Sequence, residues 1–388
     1  MGDSEQSPFL AGVRHAIRDV PAAEWDACAG GDNPFTRHAF LLALEESGSA
    51  TAETGWAPHH LVVEDPTGRI AGVAPLYLKS HSFGEYVFDH GWADAFERVG
   101  GRYYPKLQMA VPFTPVTGAR LMARPGRDAT MARRALIAGA VELTRRTGVS
   151  SLHVTFPTEA EWRLMGEAGF LKRTGCQFHW RNEGYARFDD FLARLVARKR
   201  KALRRERRAA LSTGLTIEVL SGDDIKSKHW DAFFTCYIAT SERKWGYPYL
   251  TRAFFEQLGA TMAEHIVLMM AKHDDRYVAA AFNMLGGNAL YGRNWGATEY
   301  HPFLHFELCY YRAIDFAIER GVARVEAGAQ GPHKIARGYL PAPTYSAHWV
   351  RHPGLRDAIA RFLSAERKET GEEIEFLGGH APFRKTEP

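Results

Sequence analysis

The chain has 388 residues, 45% of them hydrophobic and 12% aromatic, which is enough to build two domains with ordinary cores. Its formal net charge is only +4, yet residues 191–211 contain nine Lys or Arg and a single acidic residue. The rest of the chain is therefore mildly acidic. Because a nucleic-acid-binding domain usually spreads positive charge over a whole face, this distribution argues against a dedicated DNA-binding protein.

The cysteines and the hydropathy of the sequence indicate the compartment in which the protein is expected. The four cysteines are widely spaced and form no Cys-x-x-Cys pair, so we expect free thiols and no disulfide framework. The sequence has no apolar run of about 18 residues that would predict a membrane span, and its first residues are polar, unlike a signal peptide. The expected compartment is the cytoplasm.

The first half of the sequence predicts a definite order of elements. A helix opens at TRHAF (36–40), and HLVVEDPTGRIAGVAPLYL (60–78) predicts a β-hairpin because two apolar runs flank a turn. A long helix then ends at Gly148, and a short strand follows it. The segment 79–118, between hairpin and helix, is rich in aromatic residues, Gly and Pro, and we expect an irregular binding loop there.

The basic segment 191–211 predicts one continuous helix with Asp189 as its N-cap. Arg200, Arg204 and Arg208 follow one another at four-residue intervals, so their like charges repel along the helix. We expect these three side chains to bind the phosphates of a donor substrate. The alternative is a solvated surface.

The order of elements then repeats. A helix opens at TRAFF (251–255), a hairpin follows at 266–285, and a further helix ends before Gly321 and a strand. The first copy is the longer one, so we place an insertion in it. The repeat predicts one α/β module present twice, as two domains that comprise residues 12–186 and 187–388.

Several segments carry a family resemblance. They are ALYGRNWGATEYHPFLHFELCYYRAIDFAIERGVARVEAGAQGPHKIARGYLP (289–341), HSFGEYVFD (81–89), YYPKL (103–107) and PFTP (112–115). On these segments the chain resembles the FemAB-like predicted N-acyltransferases, a bacterial peptidoglycan biosynthesis and recognition family related to the FemABX peptidyltransferases. The resemblance implies an α/β fold (α+β, with mixed sheets) made of tandem GNAT-like acyltransferase domains.

The resemblance also implies an activity, the transfer of an acyl or aminoacyl group to an amine. We expect acyl-CoA or aminoacyl-tRNA as a co-substrate, no tightly bound cofactor, and a small-molecule or peptide amine as acceptor. A tRNA is a candidate partner, whereas DNA is not. Ile335 and Ala336 stand where the FemABX motif has Phe-Lys. This departure leaves a second interpretation open, a catalytically inactive GNAT-like module that binds a nucleotide- or peptide-linked ligand.

Candidate catalytic residues lie in and near the Gly- and Pro-rich loop GAQGPHKIARGYLP (328–341), where binding side chains are expected. Lys334 and Arg337 are assigned to holding the donor while negative charge develops on it. Tyr339 is assigned as proton donor to the leaving group, and Glu307 as the base that deprotonates the amine.

Binding residues are predicted in two further places. RNWGAT (293–298) partly matches the pyrophosphate loop of GNAT enzymes, which assigns Arg293 and Gly296 to the donor. The acceptor is assigned to polar residues of the 79–118 segment and of the Gly-rich loop: Lys79, His81, Glu85, Tyr104, Lys106 and His333. No metal site is predicted, because Pro302 separates His301 from His305 and no third ligand accompanies them.

Overall fold

The computed structural model describes residues 9–212, 214–244, 247–328 and 331–384. Groups of helices and groups of strands follow one another along this part of the chain. The strands are β1 (Leu10–Arg14), β2 (Trp56–Pro58), β3 (His60–Glu64), β4 (Ile70–Ala74), β5 (Leu76–Lys79), β6 (Lys106–Met109), β7 (Met122–Ala123), β8 (Ser151–Thr155), β9 (Leu171–Arg181), β10 (Thr216–Ser221), β11 (Ile266–His273), β12 (Arg276–Gly286), β13 (Ala289–Ala297), β14 (Arg324–Glu326) and β15 (Leu340–Val350).

The helices follow the same repeated order. They are α1 (Ala22–Ala29), α2 (His38–Glu46), α3 (His90–Arg98), α4 (Ala129–Thr147), α5 (Glu159–Glu167), α6 (Phe188–Arg194), α7 (Ala197–Leu211), α8 (Ser227–Lys244), α9 (Arg252–Thr261), α10 (Leu304–Phe306), α11 (Arg312–Glu319) and α12 (Pro353–Gly379). A π-helical turn, Glu307–Tyr311, joins α10 to α11, and Pro332–Arg337 forms a 3₁₀ turn.

The chain divides into two compact units. Unit 1 runs to Gly175 and also contains Thr344–Thr370, whereas unit 2 consists of Cys176–Pro343 and the chain from Gly371 onward. The limits differ from those predicted, since the sequence divides the chain once, between residues 186 and 187. A linear pattern does not show that a later segment returns to an earlier unit, because the pairing of that segment is decided by distant strands.

Unit 1 contains two groups of paired strands. In one, β1, β3, β4 and β7 pair antiparallel in that order. In the other, β2, β5, β6, β8 and the end of β15 lie side by side, with β6 and β8 parallel and the other pairs antiparallel. The hairpin predicted at 60–78 is confirmed as β3 and β4. Gly148 ends α4 in the left-handed conformation, with a φ of 69°, as the Gly signal predicts.

Unit 2 contains a mixed sheet in the order β10, β11, β12, β13, β14 and the end of β9. Its pairs are antiparallel except for β13 and β14. The hairpin predicted at 266–285 is confirmed as β11 and β12. One face of the sheet packs on α11 through a core that includes Leu290, Val325 and Ile314.

The basic segment is not the single helix that the sequence predicts. Helix α6 ends at Arg194, and α7 begins at Ala197. Between them Leu195 and Val196 are extended, and the Val196 N–H donates to the carbonyl of Pro382 over 2.9 Å. The prediction of one continuous helix was therefore wrong, because the backbone at this point pairs with the C-terminal segment instead of continuing the helical ladder.

The predicted N-cap of this segment is also corrected. Asp189 lies in the first turn of α6, and Arg187 is the N-cap. The Asp190 carboxylate accepts from the backbone N–H of Arg187 over 3.1 Å. An acidic residue therefore accepts a hydrogen bond from a backbone N–H at the helix N-terminus, but this residue lies in the first turn and is not the N-cap.

The segment 79–118 is less irregular than predicted. It contains α3 and the strand β6, which lies between β5 and β8. All four residues of β6 are buried, although the polar Lys106 and Gln108 alternate with the apolar Leu107 and Met109. Four residues are the shortest run in which such alternation predicts a strand, and neighbouring Gly, Pro and aromatic residues favour a loop. For this reason a strand at the centre of a sheet was taken for part of an insertion.

Candidate active site

The strands β13 and β14 of unit 2 separate after Tyr291. They pair in parallel from Ala289 to Tyr291, and β13 then continues along β12 as far as Ala297. Within that stretch Arg293 is an extra residue, a β-bulge, because the residues on either side of it pair with consecutive residues of β12. From Gly292 onward, the β14-facing backbone groups of β13 lie outside the β13–β14 ladder. Such an opening places backbone N–H groups where a ligand can accept their hydrogen bonds.

Lys334 reaches the end of β14 from the 3₁₀ turn of the Gly-rich loop. Its side chain is buried, and its ammonium donates to the carbonyl of Gly328 over 3.0 Å. Burial lowers the pKa of Lys334 to about 8. Within the described residues no ion pair with a carboxylate offsets this effect. The ammonium therefore keeps N–H donors for a further partner and can release a proton near neutral pH.

Arg337, in contrast, is fully engaged by the protein. Its Nη2 donates to Glu206 Oε2 over 2.9 Å, its Nε to the Tyr311 hydroxyl over 3.2 Å, and its Nη1 to the carbonyl of His333 over 2.9 Å. The guanidinium carbon also lies 3.5 Å from the centre of the Phe306 ring. These contacts favour a structural role, and the predicted contact with the donor stays a prediction.

Glu307, the predicted base, is completely buried in a cluster of ion pairs. Arg207 binds it through Nε at 3.1 Å and Nη2 at 2.9 Å, and Arg312 approaches it to 3.0 Å. The same Arg207 pairs with Asp315 at 2.6 Å. Protonation of Glu307 would weaken these ion pairs, so the geometry favours an anchor between α7 and the π-helical turn.

Two further residues of the loop differ in exposure. Tyr339 is fully buried, and its hydroxyl donates to the carbonyl of Tyr310 over 3.3 Å. Burial raises the pKa of Tyr339 well above its usual value, which makes it a weak proton donor. His333 is exposed and lies 3.1 Å from the Tyr310 hydroxyl. Partial burial, followed by the charges of Arg337 and Lys334, lowers the pKa of His333.

A carboxylate that the sequence left without a role stands at the end of β14. Glu326 is buried, and its Oε1 accepts from Arg324 over 2.8 Å. Its Oε2 has no hydrogen-bond partner among the described residues, and the nearest imidazole nitrogen, His179 Nε2, is 3.7 Å away. Burial lowers the pKa of His179 even though Glu326 opposes this effect, so the imidazole is neutral at pH 7 and can accept a proton.

The exposed side of α7 contributes to a concave basic surface. A pocket of about 410 Å³ is lined by residues of α6, α7 and the residue before α6: Arg187, Phe188, Asp189, Leu192, Arg204, Arg207 and Arg208. Arg204 forms an exposed ion pair with Asp189 at 3.0 Å. Two of the three predicted phosphate-binding arginines thus line one pocket, whereas Arg200 lies one helical turn before it.

Of the two donor residues predicted on β13, Gly296 has a clear packing reason. A Cβ at this position would lie 2.1 Å from the carbonyl oxygen of Cys236, so α8 can approach β13 only if residue 296 is glycine. Arg293 is the bulge residue at the strand opening. Their contact with a donor stays a prediction.

Unit 1 contains a separate buried network around Lys106, at the start of β6. The Lys106 ammonium donates to Glu85 Oε2 and to Ser82 Oγ, each over 2.7 Å, and to Asp89. Ser82 in turn lies 2.8 Å from the Tyr104 hydroxyl. Three predicted acceptor residues, Glu85, Tyr104 and Lys106, are therefore brought together. The structure does not test their predicted role.

One cation in this network faces two carboxylates. Burial by itself would raise the pKa of Asp89, but the Lys106 charge and further hydrogen bonds outweigh it and lower that pKa. Burial raises the pKa of Glu85 to about 7. Although burial opposes it, the pKa of Lys106 is raised by the two carboxylates. Asp89 is therefore the ionised partner of Lys106, and Glu85 exchanges its proton near neutral pH.

Lys79 and His81 border this network. The Lys79 ammonium lies 3.5 Å from the centre of the Trp56 ring and donates to the carbonyl of Phe83 over 3.3 Å. Burial lowers the pKa of Lys79 to about 7. His81 Nε2 lies 3.1 Å from the carbonyl of Thr54, and His81 Nδ1 accepts from the backbone N–H of Phe83. His81 therefore supports the loop, while Lys79 is half-neutral at pH 7.

Comparison with known proteins places this geometry in a family. The model of the FemAB-like family, described as peptidoglycan biosynthesis/recognition, matches residues 16–385. The chain belongs to the FemAB-like family. This membership, together with the fold, supports an acyltransferase-type role in peptidoglycan biosynthesis. A search of curated proteins finds no match to the sequence.

Solved structures confirm the predicted fold class, a mixed α/β protein of the tandem GNAT type. The crystal structure of FemX aligns with a TM-score of 0.54 at 13% identity, over 88% of this chain and 98% of FemX. The C-terminal domain of a candidate lysylphosphatidylglycerol synthetase from Agrobacterium fabrum aligns at 0.52 and 10% identity, over 89% and 95% of the two chains. L-PGS from Bacillus licheniformis aligns at 0.50 and 9% identity, over 86% and 98%.

Sequence reasoning missed several residues that take part in the polar clusters of the two units. Glu206 is the single acidic residue of the basic segment and binds Arg337, and His153 is a polar residue inside the buried strand β8. Glu206 breaks the run of cations, which is the signal that could have singled it out, whereas His153 continues the alternation of polar and apolar residues in β8 and gives no such signal. Asp89, which lies in the 79–118 segment, completes the Lys106 network.

Among the described residues no helix is both long and apolar enough to cross a membrane.

Proposed function

We propose that the protein is an N-acyltransferase that moves an acyl or aminoacyl group from an activated donor to the amine of a peptidoglycan precursor. The observation that carries this proposal is the opening between β13 and β14, next to which the buried amine of Lys334 and the carboxylate of Glu326 stand. Acyl transfer needs backbone donors for the developing oxyanion, a base for the amine and an acid for the leaving group.

The opening would bind the donor carbonyl. Backbone N–H groups of β13 beyond Tyr291 lie outside the β13–β14 ladder, and they are held rigid by the pairing of β13 with β12. Donors that are fixed in advance stabilise the negative charge of a tetrahedral intermediate without reorganisation, and loss of one such donor costs about 2.7–4 kcal/mol in enzymes.

The proton transfers would run through three side chains. The acceptor ammonium gives a proton to neutral His179, which Glu326 stabilises from 3.7 Å, and the amine then attacks the carbonyl carbon. The new C–N bond forms as the bond from the carbonyl carbon to the donor's sulfur or oxygen breaks. Lys334, whose pKa is about 8, supplies the proton to the departing thiolate or alkoxide, and its neutral amine then takes the second proton that the acceptor nitrogen loses as the amide forms.

Both donor classes that the family resemblance implies, acyl-CoA and aminoacyl-tRNA, carry phosphates. The concave basic surface lined by Arg187, Arg204 and Arg208 supports phosphate binding, because guanidinium groups bind phosphate in a bidentate manner.

The test is a turnover assay with both donor classes. A panel of acyl-CoAs is monitored for thiol release, and radiolabelled aminoacyl-tRNAs are monitored for transfer to peptidoglycan-precursor peptides that carry a free amine. We expect turnover with one class, a loss of at least tenfold in Glu326→Gln, and no change in Lys228→Ala, which removes an exposed lysine of the same unit.

The alternative is a GNAT-like module that binds a nucleotide- or peptide-linked ligand without turnover. Ala336, at the position of the family lysine, is the observation that favours it. Tight binding of a donor or acceptor with no transfer from any member of either donor class would establish this alternative and reject the proposed enzyme.

A further inference from the structure

Two histidines and a glutamate of unit 2 meet beside the turn between β11 and β12. His273 is the last residue of β11, and Glu299 and His301 follow β13. Glu299 Oε2 lies 3.2 Å from His273 Nδ1 and 3.1 Å from His301 Nε2. None of the three has a role in the proposed transfer.

The tertiary structure assembles this group from two segments. Asp274 and Asp275 form the β11–β12 turn with φ values of 47° and 61°, a pair that matches a type I′ hairpin. The turn brings the end of β11 opposite the residues that leave β13, where the Thr298 N–H donates to the carbonyl of Val278 over 2.9 Å. Both segments are therefore tied to the sheet, so the three side chains start from anchored backbone.

The three side chains have the chemistry of metal ligands. The candidate ligand atoms, one from each residue, all lie within 4.8 Å of one another. Zinc binds imidazole nitrogen and carboxylate oxygen at about 2.0–2.2 Å, which separates the ligands of a tetrahedral site by roughly 3.4 Å. Two of the three separations, 3.2 and 3.1 Å, are already close to this length. The third requires only rotation of partly exposed side chains.

The surrounding charges also favour a cation. Glu299 supplies a carboxylate whose Oε2 contacts both imidazoles. Arg276 binds the other oxygen, Oε1, over 2.8 Å and so fixes the carboxylate with Oε2 turned to the imidazoles. The exposed Asp274 and Asp275 of the turn offset the charge of this arginine.

We propose that His273, Glu299 and His301 bind one divalent cation of the zinc class, with a fourth position open to water. Each imidazole would turn its unprotonated nitrogen to the metal, and the proton would move to its other ring nitrogen. The cation would join the β11–β12 turn to the segment that leads from β13 into α10. His305, four residues after His301, belongs elsewhere, because its ring packs 5.2 Å from that of Trp295.

The test measures metal binding directly on the full-length, metal-stripped protein. Isothermal titration with Zn²⁺ should give one site, and Co²⁺ should give the visible absorption of a four-coordinate complex. His273→Gln, Glu299→Gln and His301→Gln should each weaken Zn²⁺ binding at least tenfold. His305→Gln is the matched control and should bind Zn²⁺ as the parent protein does.

A second measurement separates loss of a ligand from loss of the fold. Each variant is melted without metal and with saturating Zn²⁺, and Zn²⁺ should raise the Tm of the parent and of His305→Gln but not of the three ligand variants. Equal affinity in all variants, or a loss confined to His305→Gln, would overturn the proposal. Since acyl transfer is not measured, failure of this test leaves the proposed enzyme untouched.

Discussion

Lys106 in unit 1 and Lys334 in unit 2 are both buried lysines, yet their surroundings push their pKa values in opposite directions. Lys106 contacts Glu85 and Asp89, and these carboxylates outweigh burial and raise its pKa. Lys334 donates to the carbonyl of Gly328, and burial lowers its pKa to about 8.

The difference shows that burial alone does not decide what a lysine can do. A lysine that is neutralised by carboxylates is locked in its charged form and contributes to the fold, whereas a lysine with only a carbonyl partner can exchange its proton. We therefore assign stability to the region around Lys106 and chemistry to the region around Lys334.

The largest expected effect comes from Lys106→Met. The substitution leaves Asp89 buried without its cation, and we expect a loss of about 3–5 kcal/mol in the free energy of unfolding. Equilibrium unfolding in urea measures it. Lys79→Met is the matched control, because Lys79 contacts a carbonyl and a ring but no carboxylate in the described network, and it should cause no such loss. Equal losses in the two variants would break the comparison.

Arg337→Ala tests the engaged cation of the Gly-rich loop. It leaves Glu206 with the Tyr311 hydroxyl as its partner, and we expect the free energy of unfolding to fall by about 3 kcal/mol. Arg204→Ala removes an exposed pair with Asp189 and should cost less than about 1 kcal/mol. An Arg337→Ala protein with full stability but no activity would instead place this guanidinium on the donor.

Lys334→Ala should act on turnover. We expect kcat/KM for acyl transfer to fall at least tenfold, or about 1.4 kcal/mol, since the leaving group loses its proton source. The basic limb of the pH–rate profile should also change, because the pKa of about 8 disappears with this amine. Unchanged kcat/KM with an authentic donor would move the chemistry to another residue.

The pH dependence of stability sharpens the contrast within unit 1. The pKa of Glu85 is raised from 4.5 to about 7 in the fold, so the folded protein binds more protons in this window and its stability falls as pH rises from 4.5 to 7. Glu85→Gln should remove this decline.

Lys79 should have the opposite effect. Its pKa is lowered from 10.5 to about 7 in the fold, so its contribution makes stability rise between pH 7 and 10.5, and Lys79→Met should flatten that rise. Urea midpoints measured across this range check both signs.

The smallest effect is expected on the exposed face of α7. Substitution of Arg200, Arg204 and Arg208 by Gln should weaken donor binding by less than about 1 kcal/mol per residue and reduce its dependence on salt. Titration of the donor at low and moderate ionic strength measures both. Unchanged affinity for acyl-CoA and aminoacyl-tRNA would leave this face as solvated surface.

The sequence by itself determined the elements whose signals are local. Both hairpins and the glycine stops at Gly148 and Gly321 follow from turn residues and short-range periodicity. The prediction of one continuous helix in the basic segment failed at Val196. The extended backbone there depends on a hydrogen bond to Pro382, which lies far along the chain and leaves no local signal.

Only the tertiary structure decided which charges meet. Lys106, Glu85 and Asp89 lie in the segment that the sequence marked as polar and aromatic, yet nothing in their spacing shows that one ammonium serves two carboxylates. Likewise Arg337 and Glu206 are 131 residues apart in the sequence, and their pairing engages the guanidinium that the sequence analysis assigned to the donor. Electrostatic interactions depend on distance through space and on burial, and a linear pattern encodes neither, whereas helix caps and hairpin turns depend on neighbouring residues alone.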